Sequence, residues 1–268
     1  MGEFFSVHSM MQSSSWSINA PLVIAHRGAS IIAPENTLLA FRLAAELGAD
    51  AIEFDAKLTA DGHVVIHHDR TLDRTTDGFG PLSARTLEEL QRLDAGSHLD
   101  SKYTGECIPT LKQVFQEVGD RMLMNIELTN YAQPFNELTE VVFQMVCEFD
   151  LMKRVLISSF NPIALIKMRR LAPEIPLGLL VMDKKPFWLI TLFRLMTPYQ
   201  AYHPSFPMVD NQLVQREHTL GNQVNVWTVN EKDQIREMMN IGVDGVITDA
   251  PDTAREVVQD YRSGRAGR

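Results

Sequence analysis

Residues Leu22–Leu58 read LVIAHRGASIIAPENTLLAFRLAAELGADAIEFDAKL and contain a complete strand–helix–strand unit. The apolar run Leu22–Ala25 predicts a first strand, and Ala51–Leu58 predicts a second. Between them, Pro34–Leu47 has the periodicity of an amphipathic helix, with Pro at its start and Gly48 after its end. This order predicts two parallel strands joined by a helix.

The same alternation of strand-like and helix-like segments continues along the chain. An Asp61-Gly62 turn leads into a short run at Val64–His67. Six further strands are predicted after it: Met122–Leu128, Val155–Ser159, Leu177–Val181, Gln200–His203, Val224–Val229 and Gly242–Thr248. About eight βα units result, the number that closes a parallel barrel. The predicted fold is therefore an α/β (β/α)₈ TIM barrel. A doubly wound open sheet is the alternative, but neither a Gly-x-Gly-x-x-Gly motif nor a P-loop is present.

One predicted connection is much longer than the others. Residues Arg70–Ile108 exceed the roughly 2–6 residues of an ordinary connection, and long loops in compact domains are usually functional. We expect a small insertion after the second strand that caps the mouth of the barrel. Residues 21–268 then form one domain, and residues 1–20, with their serine run, are predicted to be a flexible N-terminal arm.

Composition restricts the partners and the compartment. The 268-residue chain has a formal charge of −9, which argues against a nucleic-acid partner because such binding needs a basic surface. No segment approaches the ~20 apolar residues of a membrane span, and residues 1–20 do not resemble a secretory signal. Cys107 and Cys147 are too few for a disulfide framework. We expect a cytoplasmic protein with a small-molecule substrate, and leave open whether it forms a homo-oligomer.

Carboxylates lie on one face of the second predicted strand. Because side chains alternate in a strand, Glu53, Asp55 and Lys57 share a face, and the apolar residues share the other. In a barrel the apolar face packs on the helices, so the charged face points inward. Glu127 faces inward on the next strand by the same alternation. Such carboxylates repel one another unless a cation lies between them, and oxygen-only ligands favour Mg²⁺ or Ca²⁺. The alternative, a solvated face of an antiparallel sheet, fits the βα pattern poorly.

Two histidines lie at the ends of predicted strands. His26 follows the first strand, and His68 follows the strand after the Asp-Gly turn, whereas His67 points to the opposite face. Histidine titrates near neutral pH, so a pair can act as general base and general acid on one bond. Arg27 offers a planar fork suited to phosphate oxygens. Its structural alternative is a salt bridge to Glu35, and the two roles are compatible.

The motifs around these residues resemble those of the glycerophosphodiester phosphodiesterase family, in the family's order. They are Ala25-His26-Arg27-Gly28, Pro34-Glu35-Asn36-Thr37, Glu53-x-Asp55, Asp61-Gly62, His68-Asp69 and Asp244-Gly245-x-x-Thr248-Asp249. The resemblance extends from about residue 22 to residue 255. It implies a (β/α)₈ fold, a divalent Mg²⁺ or Ca²⁺ cofactor, and hydrolysis of a glycerophosphodiester to glycerol 3-phosphate and an alcohol.

Matching position in the family implies a role for seven residues. These are the catalytic pair His26 and His68, the metal ligands Glu53, Asp55 and Glu127, and the substrate-binding residues Arg27 and Trp227. Packing in the barrel core is an equally good interpretation of Trp227. Whether water or the substrate's own 2-hydroxyl attacks the phosphorus is left open.

The sequence departs from the family at one position. The family commonly has lysine two residues after the third metal-binding carboxylate, where this chain has Thr129. Lys57 follows Asp55 on the same inward face and could supply the missing charge as a substrate-binding residue. The alternative is that Lys57 bends out to solvent, as lysines usually do.

Two other functions fit the sequence less well. Cleavage of lysophospholipids by the same chemistry needs an apolar groove, which the apolar segment Phe187–Met196 could provide, although an ordinary barrel helix is favoured there. A non-catalytic barrel that only binds a metal or a phosphodiester is the third interpretation. The presence of both histidines and all three carboxylates argues against it.

Overall fold

The computed structural model describes Trp16, residues 21–183 and residues 186–266. Within these ranges nine strands form one sheet: β1 Leu22–His26, β2 Ala51–Leu58, β3 Val64–Ile66, β4 Leu123–Leu128, β5 Val155–Ser159, β6 Leu177–Val181, β7 Ala201–Pro204, β8 Gln223–Val226 and β9 Gly245–Thr248. All except β3 pair in parallel, and β1 pairs with both β2 and β9, which closes the predicted eight-stranded barrel. The short β3 pairs antiparallel with β2 through the Asp-Gly turn.

The helices alternate with the barrel strands. They are α1 Leu38–Glu46, α2 Leu87–Leu90, α3 Leu111–Val118, α4 Leu138–Glu148, α5 Pro162–Leu171, α6 Phe187–Met196, α7 Asn211–Thr219, α8 Lys232–Ile241 and α9 Pro251–Ala266. None of the helices within the described ranges is long and apolar enough to cross a bilayer. The two cysteines are both free thiols at exposed positions.

The first helix begins later than its sequence pattern predicts. It starts at Leu38 rather than Pro34, because Thr37 caps it by accepting a hydrogen bond from the Ala40 amide. The preceding residues form turns, which require a positive φ at Gly28 (84°). A Cβ on Gly28 would lie 2.6 Å from the Ala40 backbone carbon, so only glycine lets this loop lie against the helix. The expected start at Pro34 was wrong because this turn, not the helix, fixes the backbone there.

The two faces of β2 separate as the sequence predicts. Ile52, Phe54 and Ala56 are fully buried between the barrel and its helices. Glu53 and Asp55 point into the barrel instead, where both are buried. Burial of the apolar face against the helices is the largest favourable contribution available to this strand, so it fixes which residues face inward.

Trp16 fills the barrel at the end opposite the carboxylates. Its side chain is 1% exposed and packs on an inward-facing apolar cluster of Leu22, Ile24, Ala51, Leu123, Leu156, Ala201 and Ile247. The Trp16 carbonyl accepts a hydrogen bond of 2.9 Å from Gln223 Nε2. The rest of the predicted arm, residues 1–15 and 17–20, lies outside the described residues.

The long connection contacts the loop that follows β1. It contains α2 and two 3₁₀ turns, and its residues Leu72, Leu82, Leu90, Ala95 and Ile108 form a small apolar cluster with Val65 of β3. The hydroxyl of Tyr103 donates to the carbonyl of Ile32, in the loop after β1. The connection is thereby attached to the loops that carry the polar residues at the C-terminal ends of the strands.

Candidate active site

Three carboxylates meet inside the C-terminal end of the barrel. Glu53 and Asp55 lie on β2 and Glu127 on the adjacent β4, where Asp55 and Glu127 are register neighbours. One oxygen of each carboxylate lies within 4.8 Å of the other two. An oxygen-only donor set this compact fits a single hard divalent cation such as Mg²⁺ or Ca²⁺. The predicted cluster is therefore assembled by the fold.

The protein's own side chains do not balance the charge of this cluster. Burial, and then repulsion from Asp55, raise the pKa of Glu53 well above its usual value and that of Glu127 to about 8. Burial also acts to raise the pKa of Asp55, but Arg27 and His68 outweigh it and the pKa is lowered. Only one carboxylate is thus stabilised as an anion by nearby side chains. A divalent ion would remove this deficit of positive charge.

Asp55 and Glu127 are each oriented by a neighbouring side chain. Asn36 Nδ2 donates to Asp55 Oδ2 at 2.9 Å, from a backbone with a φ of 58°. The hydroxyl of Tyr131 donates to Glu127 Oε1. Sequence reasoning gave neither Asn36 nor Tyr131 a role. The only signal for Tyr131 was its place just after the strand that carries Glu127.

His26 has a carboxylate partner that sequence reasoning did not assign. Its Nδ1 lies 2.6 Å from Oδ1 of Asp249, a residue that follows β9. Asp249 also accepts from Asn230 Nδ2 at 2.7 Å and from Ser30 Oγ at 3.0 Å. Burial opposes ionisation of Asp249, but the hydrogen bond from His26 outweighs it and lowers the pKa to about 2. Asp249 therefore fixes the proton of neutral His26 on Nδ1, and Nε2 lies 4.0 Å from Glu53 Oε2.

His68, at the other side of the site, also has an aspartate as the partner of its Nδ1. Its Nδ1 lies 2.6 Å from Asp69 Oδ1, and Asp69 accepts from Arg74 Nε at 2.6 Å. Arg74 then forms a two-pronged pair with Glu35 at 2.7 and 2.8 Å, and Glu35 accepts from Arg27 Nη1 at 2.9 Å. Burial acts to raise the pKa of Glu35, but the arginines lower it to about 2. The predicted salt bridge between Arg27 and Glu35 is confirmed, and it belongs to a chain of ion pairs that reaches His68.

Lys57 turns toward its neighbouring strand. Its Nζ donates to Thr129 Oγ1 at 2.8 Å, and Thr129 in turn donates to the carbonyl of Ala56. Burial lowers the pKa of Lys57, while attraction from Asp55 and Glu127 opposes that change. The alternative in which Lys57 bends out to solvent is therefore wrong. The ammonium group of Lys57 therefore lies beside Thr129, the residue at the position where the family commonly has lysine.

His67 points away from the cluster, as the alternation of the strand predicts. Its ring is buried, and its Nε2 lies 3.0 Å from the carbonyl oxygen of Thr71. Burial lowers the pKa of His67, so this ring favours its neutral form. His67 is therefore part of the local packing beneath the insertion.

A cavity of about 450 Å³ opens onto the carboxylates and both histidines. Its lining includes six of the predicted site residues, which are His26, Arg27, Glu53, His68, Glu127 and Trp227. Trp227 donates from Nε1 to the carbonyl of His203 at 2.9 Å, and its ring meets that of Phe160 edge-on at 5.6 Å. Trp227 thus lies in the cavity wall while also packing against the interior of the barrel.

The position of these groups defines the class of protein. In (β/α)₈ enzymes the reacting groups lie at the C-terminal ends of the strands, on the loops that follow them. Here the carboxylates, both histidines and their aspartates all lie at that end. The fold and the site are those of a TIM-barrel enzyme.

Comparison with known proteins identifies the family. The sequence profile of the glycerophosphoryl diester phosphodiesterase family matches residues 26–253. A glycerophosphodiester phosphodiesterase of Caldanaerobacter subterraneus subsp. tengcongensis is 41% identical over 241 residues, 89% of this chain and 98% of that protein. One from Bacillus altitudinis is 37% identical, over 90% of this chain and 99% of its own length.

A solved structure shares the fold across nearly its whole length. It is an Oleispira antarctica phosphodiesterase in complex with the product sn-glycerol-3-phosphate, and it superposes with a TM-score of 0.79. Sequence identity is 34%, covering 90% of this chain and 97% of that one. The chain belongs to the glycerophosphoryl diester phosphodiesterase family, and it is an enzyme of the phosphoric diester hydrolase class. The non-catalytic alternative is therefore disfavoured.

Proposed function

We propose that this enzyme hydrolyses glycerophosphodiesters to glycerol 3-phosphate and an alcohol, with a divalent metal and two histidines that act as general acid and base. The observation that carries the proposal is the meeting of two carboxylate-bound histidines with a three-carboxylate cluster in one cavity. The product bound to the Oleispira antarctica phosphodiesterase supports the glycerol 3-phosphate half of the substrate.

The metal ligands in this proposal are Glu53, Asp55 and Glu127. Their carboxylate oxygens suit Mg²⁺ or Ca²⁺ better than Zn²⁺, which favours nitrogen and sulfur ligands. When bound, such an ion would stabilise the negative charge that develops on the phosphoryl oxygens. The raised pKa of Glu127 supports this assignment, because a site without a cation holds a proton there instead.

His26 and His68 transfer the protons in this proposal. Each donates through Nδ1 to an aspartate, and that aspartate stabilises the positive charge of the ring when Nε2 takes up a proton. One histidine removes the proton from the attacking oxygen. The other donates a proton to the alkoxide that leaves when the phosphorus–oxygen bond breaks. Both rings line the cavity, so both can reach a bound phosphodiester.

Arg27, Lys57 and Trp227 bind the substrate in this proposal. Arg27 lines the cavity beside the carboxylates and carries a fixed charge for the phosphate oxygens. Lys57 adds a second cation from β2, held in place by Thr129. Trp227 presents an aromatic face to the carbon skeleton. Since both cysteines are unpaired, we also retain the cytoplasm as the proposed compartment.

The decisive experiment is metal removal and restoration. Enzyme stripped by a chelator and checked by elemental analysis should not hydrolyse glycerophosphocholine, and Mg²⁺ or Ca²⁺ should restore turnover. A Glu53→Gln and Glu127→Gln double variant is the matched control, and it should stay inactive at metal concentrations that restore the wild type. Full turnover by demetallated wild type would refute the metal assignment.

A further inference from the structure

A second cavity, of about 470 Å³, adjoins the cavity that opens onto the carboxylates. The two cavities share Thr129, whose hydroxyl accepts a hydrogen bond from the Lys57 ammonium. The walls of the second cavity come from the end of β2, the start of the insertion and the loop after β4. A substrate whose phosphate lies at the carboxylates can therefore extend past Thr129 into this second cavity.

The second cavity is positively charged, although the chain as a whole carries a formal charge of −9. Its charged lining residues are Lys57 and Arg70, and no carboxylate lines it among the described residues. The other polar side chains of its wall are neutral, and they belong to Thr71, Ser83, Thr129, Asn130, Gln133 and Asn136. Two cations among neutral hydrogen-bonding groups favour an anionic ligand over a cationic one.

Neither of these cations forms an ion pair within the described part of the chain. Lys57 is partly buried, and its Nζ donates to the neutral hydroxyl of Thr129 at 2.8 Å. The guanidinium of Arg70 has no hydrogen-bond or ion-pair partner among the described residues. The other arginines of the insertion all have carboxylate partners, and they are Arg74, Arg85 and Arg92. Arg70 thus differs from them in that its charge is available to a ligand.

The first cavity has no comparable place for a second anion. Its wall away from the carboxylates is apolar and includes Leu189, Ile190 and Phe193 of α6. Arg27 is the one lysine or arginine that lines it among the described residues, and we assign Arg27 to the reacting phosphate. A further anionic group on the substrate is therefore best placed in the second cavity.

We propose that the second cavity is a subsite for an anionic leaving alcohol, so that the enzyme favours glycerophosphodiesters whose alcohol carries a carboxylate or a phosphate, which Lys57 and Arg70 bind. The inference rests on the proposed function, because the same carboxylates and histidines perform the hydrolysis. Water adds its oxygen to phosphorus, the bond from phosphorus to the alcohol oxygen breaks, and that oxygen takes a proton. The products are glycerol 3-phosphate and the anionic alcohol.

The position and the chemistry of the two cations suit this role. Arg70 follows His68 by two residues on the loop after β3, so the subsite begins beside a histidine that exchanges protons with the substrate. A guanidinium can bind two oxygens of a carboxylate or phosphate at once. An anion beside Lys57 also offsets the burial that lowers the pKa of this ammonium. A cationic alcohol is repelled by both groups.

Three substrates that differ in the charge of a two-carbon alcohol provide the first test. The alcohol is neutral in glycerophosphoethanol, carries a carboxylate in glycerophosphoglycolate and carries an ammonium in glycerophosphoethanolamine. We expect kcat/KM to be highest for the glycolate compound and lowest for the ethanolamine compound. The preference should weaken as the ionic strength rises, because salt screens accessible charges. A kcat/KM for the glycolate compound that is equal to or below that of the ethanol compound would overturn the inference.

Two arginines of the insertion provide the second test. Arg70→Gln should lower the ratio of glycolate to ethanol kcat/KM by at least ~5-fold, because it removes one of the two cations. Comparing this ratio between variants cancels the intrinsic reactivity of each alcohol. Arg85→Gln is the matched control and should leave the ratio unchanged, since Arg85 pairs with Glu89 and lines neither cavity. Equal ratios in the two variants contradict the proposed subsite.

Reversal of the charge at Arg70 provides the third test. Arg70→Glu should raise the ratio of ethanolamine to glycolate kcat/KM further than Arg70→Gln does, because a carboxylate attracts the ammonium and repels the glycolate. Arg70→Lys keeps the charge and should retain the preference for the glycolate compound. The inference is wrong if Arg70→Glu and Arg70→Gln give the same ratio. Failure of the proposed function is distinguishable, because then the metal-loaded wild type would hydrolyse none of the three compounds.

Discussion

His26 Nδ1 and Asp249 Oδ1 lie 2.6 Å apart, although 223 residues separate them in the chain. The contact joins the ends of β1 and β9, the strands whose pairing closes the barrel. Asp69 holds His68 in the same way, across the site. Each histidine is thus oriented by an aspartate, and the two aspartates lie on different loops.

Replacing Asp249 should impair proton transfer by His26. Asp249→Asn removes the charge that stabilises the imidazolium, so we expect kcat to fall by roughly 10- to 10³-fold with little change in KM. Steady-state kinetics across pH would show both the loss and an altered profile. Asp244→Asn is the matched control, because Asp244 bonds an exposed histidine, His218, at 2.8 Å outside the cavity. Equal kcat in wild type and Asp249→Asn would contradict the role of this pair.

Removing either cavity histidine should leave a folded but very slow enzyme. His26→Ala and His68→Ala are each expected to lower kcat by roughly 10²–10⁴, the usual contribution of a general acid or base. Circular dichroism would confirm the fold, and single-turnover kinetics would measure the chemical step. His218→Ala should behave like wild type. A cavity variant with near-normal turnover would show that its histidine is structural.

Lys57 should take over the charge that Thr129 lacks. A phosphodiester and the three carboxylates carry four negative charges. A divalent ion and Arg27 supply three positive charges, so these groups together lack one positive charge. Lys57→Met should therefore lower kcat/KM by at least ~10-fold, about 1.4 kcal/mol of transition-state stabilisation.

The rescue experiment uses the contact between the two strands. Because Lys57 Nζ already reaches Thr129 Oγ1, a lysine at position 129 should bring its ammonium to the same part of the site. Lys57→Met with Thr129→Lys should recover part of the lost kcat/KM, and Lys57→Met with Thr129→Val should not. Unchanged kinetics in Lys57→Met alone would rule out this role.

The metal-free protein should lose stability as the pH rises from 6.5 to 8. Burial and Asp55 raise the pKa of Glu127 to about 8 in the folded state, against an ordinary value of 4.5. The folded state thus binds more protons than the unfolded state between these values, and Glu127 alone lowers the free energy of unfolding by up to about 1.4 kcal/mol per pH unit. Buried His203, whose pKa burial lowers to about 3, has the opposite effect but only below its ordinary value of 6.5.

Urea unfolding with a chelator, at several pH values between 6.5 and 8, would measure this slope. Glu127→Gln should make the slope shallower because it removes one of the titrating groups. Saturating Mg²⁺ or Ca²⁺ should abolish this slope in wild type, since a bound cation keeps the carboxylates deprotonated in the folded state as they are in the unfolded state. Identical slopes in wild type and Glu127→Gln would show that Glu127 does not hold the proton.

The alternation of residues in β2 was enough to predict the inward carboxylates. Ile52, Phe54 and Ala56 must face the helices, so Glu53 and Asp55 have only the barrel interior left. The start of the first helix could not be predicted from the sequence pattern with the same accuracy. Pro34 suits the first position of a helix, but the turn through Gly28 sets the backbone conformation of this segment. That turn depends on the close contact between Gly28 and Ala40.

The sequence by itself determined the barrel, the strand faces and the identity of the charged groups, because these follow from local periodicity and from the residue types. The tertiary structure alone decided which aspartate holds which histidine, where Lys57 turns, and which side of α6 enters the cavity. Asp249 and His26 are distant in sequence, and only closure of the barrel brings β9 beside β1. Such contacts depend on the packing of the whole sheet, which no local pattern encodes.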